Sequence, residues 1–110
     1  MSRDKLGRAF QLGPELVADG DSESLGMRGA EGARIIITET AGGTADIQPQ
    51  GSAANTPSDP PNWYPMGAVK ALTANETWTR WLSEPNSHIN VNVANVVGAS
   101  VKVEVQRFGA

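Results

Sequence analysis

Two stretches near the end of the chain alternate apolar and polar residues with a period of two. Ile89, Val91 and Val93 alternate with His88, Asn90 and Asn92; Val101, Val103 and Val105 alternate with Lys102, Glu104 and Gln106. Successive side chains of an extended strand face opposite ways, so each run predicts a strand with one buried face. Between them lie Asn95, Val96, Val97, Gly98, Ala99 and Ser100, and Gly98 takes positive φ at no steric cost. The predicted element over 88–108 is one antiparallel hairpin, whose valines and isoleucine build half of a small β core. Residues 33–40 are the most apolar strand candidate. Ile35, Ile36 and Ile37 are β-branched and stiff at χ1, which resists a helix and predicts a mid-sheet strand wetted little on either face. Ala41, Gly42, Gly43 and Thr44 then turn the chain, and Ala45, Ile47 and Pro49 alternate with Asp46 and Gln48 as the partner strand of a second hairpin.

The remaining pattern is more broken. Phe10 and Leu12 are two apart, and Leu16 to Ala18 follow Gly13 and Pro14, which reads as an interrupted strand at a sheet edge because proline cannot donate to a central ladder. Leu25 and Met27 alternate with Gly26 and Arg28 as a short strand. Residues 50–62 are Gly, Ser, Ala, Asn, Pro and Asp almost throughout and predict a loop. Trp78 and Trp81 are three apart, compatible with one helical turn carrying both indoles on one side; the reading adopted is a strand with Trp78, Arg80 and Leu82 facing one way. Seven or eight short strands with turn signals every 8 to 12 residues give the expected fold: all-β, a small antiparallel β-sandwich or barrel-like domain. Residues 1–7 form a polar N-terminal arm, and residues 8–110 a single domain that carries the long loop.

Length and charge narrow the function classes. At 110 residues a single domain buries roughly 65% of the surface its unfolded chain exposes. The formal net charge is -3, from 9 basic and 12 acidic residues, and the basic residues are scattered, which disfavours phosphate-driven binding of nucleic acid. Without cysteine there is neither disulfide nor thiolate metal site. The charged start is not followed by an apolar segment of export type, and no apolar run reaches the roughly 18 residues of a membrane span, so neither export nor membrane insertion is expected.

Candidate chemistry is sparse. His88 is the single histidine; its neighbour Ser87 points to the other face of a strand and cannot form a nucleophile and base pair with it. Asp19 and Asp21 open a run resembling a calcium loop, but the sixth position is Ser24 rather than Gly and the twelfth is Ala30 rather than Glu, so the match to an EF-hand fails. A turn in which Asp bonds its own backbone accounts for the same residues. The expectation is a protein that is not an enzyme and holds no metal or cofactor. Trp63, Tyr64, Trp78 and Trp81 are the residues that read as a surface site or as core: platforms for sugar rings, anchors of a protein interface, or the packing of a domain with only two phenylalanines.

Four blocks together resemble small virion proteins of tailed bacteriophages, and most closely their capsid decoration, or cement, proteins. They are residues 8–13, residues 16–20, the run Trp63, Tyr64, Pro65, Met66, Gly67 followed by Leu72, Thr73 and Ala74, and residues 101–107. The resemblance implies a β-sandwich without cofactor that sits on the capsid exterior as a homo-trimer or homo-dimer and stabilises the shell by bridging major capsid subunits. It would be made in the cytoplasm of the bacterial host. No family residue pattern comes with it. The guessed protein-contact residues are Arg3, Lys5, Arg8, Phe10, Trp63 and Tyr64, with a major capsid protein as partner and neither nucleic acid nor membrane involved. Two other readings stand beside it: a carbohydrate-binding sandwich on a phage head or fibre, and a head-tail or tail connector.

Overall fold

The computed structural model of the chain describes residues 7–27, 29–52, 63–83 and 88–109. Within them lie ten strands and no helix: β1 (Phe10–Gln11), β2 (Gly20–Asp21), β3 (Leu25–Gly26), β4 (Gly32–Glu39), β5 (Thr44–Ser52), β6 (Tyr64–Pro65), β7 (Lys70–Leu72), β8 (Thr77–Leu82), β9 (His88–Val97) and β10 (Val101–Phe108). They form two antiparallel sheets. The β4 sheet has the order β1-β10-β4-β8, and the β5 sheet the order β2-β9-β5-β6, with β3 added to β9 and β7 to β5.

The all-β sandwich expected from the alternation is what the chain adopts, yet both predicted hairpins are wrong. β9 pairs with β5, whereas β10 pairs with β4 and β1. β4 and β5 likewise lie in different sheets. The connections at 40–43 and 98–100 therefore cross from one sheet to the other, and so does the turn at 73–76 between β7 and β8. A period of two states which face of a strand is buried but not which strand lies beside it. Gly43 permits one of these crossings, because a Cβ there would run into the backbone of Val97 and Gly98 in the neighbouring connection.

The two inner faces meet as a single core. Ala33, Ile35 and Ile37 of β4, Val101, Val103 and Val105 of β10, and Leu82 of β8 face Ala45 and Ile47 of β5, Ile89, Val91 and Val93 of β9, and Leu72 of β7. Each large aliphatic side chain so buried contributes about 1.5–3 kcal/mol over its exposed state. β4 is central, as expected, but its outward residues Arg34, Ile36 and Thr38 are half-buried, so only one of its faces is dry. Trp78 and Arg80 point inward with Leu82, in register with Ile37, Ile35 and Ala33, which bears out the strand reading of this segment. Trp81, between them, points out.

Two irregularities have sequence causes. Four residues, 66–69, stand opposite Gln48 and Pro49, splitting one edge strand into β6 and β7. The Pro49 carbonyl accepts from Met66 N–H at 2.9 Å on that same side, so the donor that proline lacks falls where the ladder is already interrupted. On the other side of β5 a bulge sets Asn95 and Val96 opposite Ala45. Asn95 is left-handed there, at φ 53, and its amide donates to Asp46 Oδ2 at 2.8 Å. Of the predicted loop over 50–62, Gln50, Gly51 and Ser52 instead belong to β5, and residues 53–62 lie outside the described residues. Of the predicted arm, residues 1–6 lie outside the described residues, and Gly7 N–H donates to Arg107 O at 2.8 Å alongside β10.

Candidate functional site

At the end of the sandwich where the three connections cross, one carboxylate joins all of them. Glu39 ends β4 on the inward register shared with Ala33, Ile35 and Ile37 and is 1% exposed. Its Oε1 accepts from Gly42 N–H at 2.7 Å and Asn75 N–H at 2.8 Å; its Oε2 accepts from Ala41 N–H at 2.8 Å and Ser100 N–H at 3.1 Å. Asn75 takes a left-handed φ of 58 to present its N–H. These bonds, that of Asn75 foremost, pull the Glu39 carboxyl down to about 2 against the burial that opposes its charge. Glu76 does the same for its own turn. It accepts from Thr73 N–H at 2.9 Å and Thr73 Oγ1 at 3.0 Å and pairs with Lys70 at 2.9 Å, which also brings it to about 2. Glu15 accepts from the hydroxyls of Ser100 and Thr40, both at 2.6 Å, and is lowered by them.

The carboxylates singled out as possible chemistry have structural partners too. Asp21 in β2 accepts from Asn92 Nδ2 at 2.9 Å, and Asp19 accepts from Val96 N–H at 3.0 Å in the bulge. They brace β9 from its edge. Among the described residues no group of three or more His, Asp or Glu side chains is arranged to hold a metal ion. His88 sits in β9 opposite Gly26 and Ser52, with its imidazole over Gly26; Ser87 lies outside the described residues.

The guessed contact residues separate. Arg3 and Lys5 lie outside the described residues. Arg8 and Phe10 are at the β1 edge, where the guanidinium carbons of Arg8 and Arg107 stand 5.5 and 5.1 Å from the centre of the Phe10 ring. Arg107 also donates to Gly26 O at 2.7 Å, tying the β4 sheet to the β5 sheet along this side. Trp63, half-buried, and Tyr64, 37% exposed, are at the β6 edge. That is the opposite side of the sandwich, where Arg80 of β8 packs on Gly67.

A third surface was invisible to the sequence reading as a unit. On the outer face of the β4 sheet, Gln106, Arg34 and Trp81 form one row across β10, β4 and β8. Trp81 is 59% exposed. The Phe108 ring meets it edge-on, at 5.7 Å between centroids and 65° between planes, and the Arg34 guanidinium lies over it at 5.8 Å. Phe108 reaches the indole across Gly32, where a Cβ would strike both the Phe108 ring and the Leu82 carbonyl. The spacing of Trp78 and Trp81 shows that they face opposite ways on a strand; nothing in it brings Phe108 alongside.

No protein-family model and no curated protein matches the chain. Among solved structures it is similar to the SPBc2 prophage-derived protein YomS, at 11% identity and a TM-score of 0.60 over 92% of this chain and 91% of that one. It is also similar to PirA, at 20% identity and a TM-score of 0.49, again over 92% and 91%. At such identity the likeness to YomS is one of fold, and it spans nearly the whole of both chains.

Proposed function

We propose that this chain is a non-enzymatic structural protein of a tailed-phage virion, which binds the outside of the capsid and stabilises it by bridging major capsid subunits. The observation that carries this reading is that the aromatic groups of two sheet edges, offered here as the contact residues, lie on opposite sides of one sandwich. Arg8, Phe10 and Arg107 stand at the β1 edge, and Trp63 and Tyr64 at the β6 edge. A bridge needs two faces held at a fixed separation, and crossings pinned by Glu39 supply that rigidity. The phage assignment draws on the resemblance of the four sequence blocks to decoration proteins and on the fold shared with a prophage-derived protein.

The test is reconstitution on expanded capsids that lack this protein. Saturable binding at a fixed copy number per capsid, with a raised temperature of capsid disruption, is the expected result. Phe10→Ala and Tyr64→Ala should each weaken capsid retention while leaving the protein folded. Intact capsids that take up none of the protein would sink the proposal. Rings of six- or twelve-fold symmetry in solution would point instead to a connector.

A further inference from the structure

We propose that the outer face of the β4 sheet binds a glycan, with Trp81 as the stacking platform and Arg34 and Thr79 as hydrogen-bonding partners. The inference is independent of the virion assignment. An indole in water has a cost, and this one is held in place: Phe108 fixes its edge and Arg34 lies against its ring. Preorganisation of this kind lowers the entropy lost when a ligand docks. The Arg34 guanidinium has no hydrogen bond or ion pair among the described residues, and a guanidinium stacked on a ring keeps its N–H donors available at its own edge. Thr79 lies two residues along β8 on the same face and is exposed, so its hydroxyl is a second polar group beside the indole.

The balance of polar and apolar surface selects the ligand. Trp81 is the one large hydrophobic side chain on this face that is more than a third exposed among the described residues; Val17, Tyr64, Val69 and Val97 lie elsewhere. A standard protein interface takes about 800 Å² from each partner around a cluster of apolar anchors, and one exposed indole, with Phe108 and Ile36 half-buried beside it among Arg, Thr and Gln, does not provide one. A pyranose ring needs less. Its axial C–H bonds form an apolar face the size of one indole, and its equatorial hydroxyls reach donors and acceptors at the rim. An open sheet face suits extended β-linked chains, whose rings show such faces, better than coiled α-linked ones.

Cellohexaose, chitohexaose and maltohexaose, titrated into the full chain with tryptophan emission as the readout, test this. The expected result is a saturable change with cellohexaose or chitohexaose and a weaker one with maltohexaose. Trp81→Ala should abolish the spectral change and weaken binding at least about tenfold, Trp81→Phe should retain part of the affinity, and Arg34→Ala should weaken it by roughly three- to tenfold. Because both side chains lie on the outer face, away from the core, thermal midpoints should stay near that of the unmodified protein. A flat titration with all three sugars overturns the proposal, as does undiminished binding by Trp81→Ala. So does light scattering in which Trp81→Ala converts an oligomer into monomers, since that would make this face a protein interface.

Discussion

The two ends of the β4 sheet use their polar groups in opposite ways. At one end Glu39 is buried, and both of its oxygens accept backbone N–H groups from three separate connections. Toward the other, one row short of Ala33 and Leu82, Arg34 has no hydrogen bond or ion pair among the described residues and Trp81 keeps its exposed ring, steadied by Phe108. A carboxylate with four donors turned inward holds the fold together and has little left to offer a partner. A guanidinium without a hydrogen bond among the described residues, beside an exposed indole, adds little to stability and is available for binding. Stability and recognition are thus separated along the length of one sheet, and substitutions at the two ends should register in different measurements.

The largest effect on folding is expected from Glu39→Gln. Glutamine keeps one carbonyl oxygen but turns an NH₂ group toward two backbone N–H donors, so at least two buried donors lose their acceptor. The thermal midpoint should fall on the order of 10 °C, with glycan binding by the folded fraction unchanged. Acid should act on the same end. Glu39 and Glu76 sit at about 2 in the folded protein against an ordinary value of 4.5, so the unfolded chain binds protons first as pH drops. Their stabilisation is complete above 4.5 and is lost between there and about 2. Urea midpoints at pH 7 and pH 3 should therefore differ in the native protein, and differ less in Glu39→Gln.

Next in size, Trp78→Ala removes an indole packed against the core and should cost about 2–3 kcal/mol by urea unfolding. Gly32→Ala forces a Cβ against the Leu82 carbonyl and the Phe108 ring, at a cost of about 1–3 kcal/mol. By displacing Phe108 it should also loosen Trp81, visible as a red shift of its emission. Trp81→Ala is the smallest perturbation of stability, at less than about 1 kcal/mol, although it removes a side chain of the same type only three positions from Trp78. Equal losses for the two tryptophan variants would break the contrast between the inner layer and the outer face.

Most of the strands were legible because a period of two is written directly in the residues: β4, β5, β9 and β10 all lie where the alternation placed them. Their partners were not legible. Residues 40–43 and 98–100 are short and glycine-containing, which suits a tight hairpin and a crossing equally well, and the choice is made by packing between sheets. One signal was available at Glu39, where a charged residue continues the inward register of Ala33, Ile35 and Ile37. An acid on a core position requires buried donors, and short connections rich in backbone N–H are where such donors occur. The opposition of Arg8 and Phe10 to Trp63 and Tyr64 is a property of sheet order. The meeting of Phe108 with Trp81 depends on Gly32 as a gap between them, and neither is encoded in local spacing.

The crossings also govern how the chain can fold. Phe10 pairs with Val105, Gly20 with Val93 and Leu25 with Ile89, so the first three strands rest on strands that are synthesised last. Of the strands joined directly in sequence, only β5 and β6 pair with each other, and across the long segment between Ser52 and Tyr64. Without a tight hairpin among the described strands to serve as a nucleus, folding has to close long loops before any ladder rewards it, which places its time on the order of milliseconds to seconds. On the ribosome the early strands must remain unpaired until β9 and β10 emerge, and that interval is when their apolar residues are most open to chaperones or to one another.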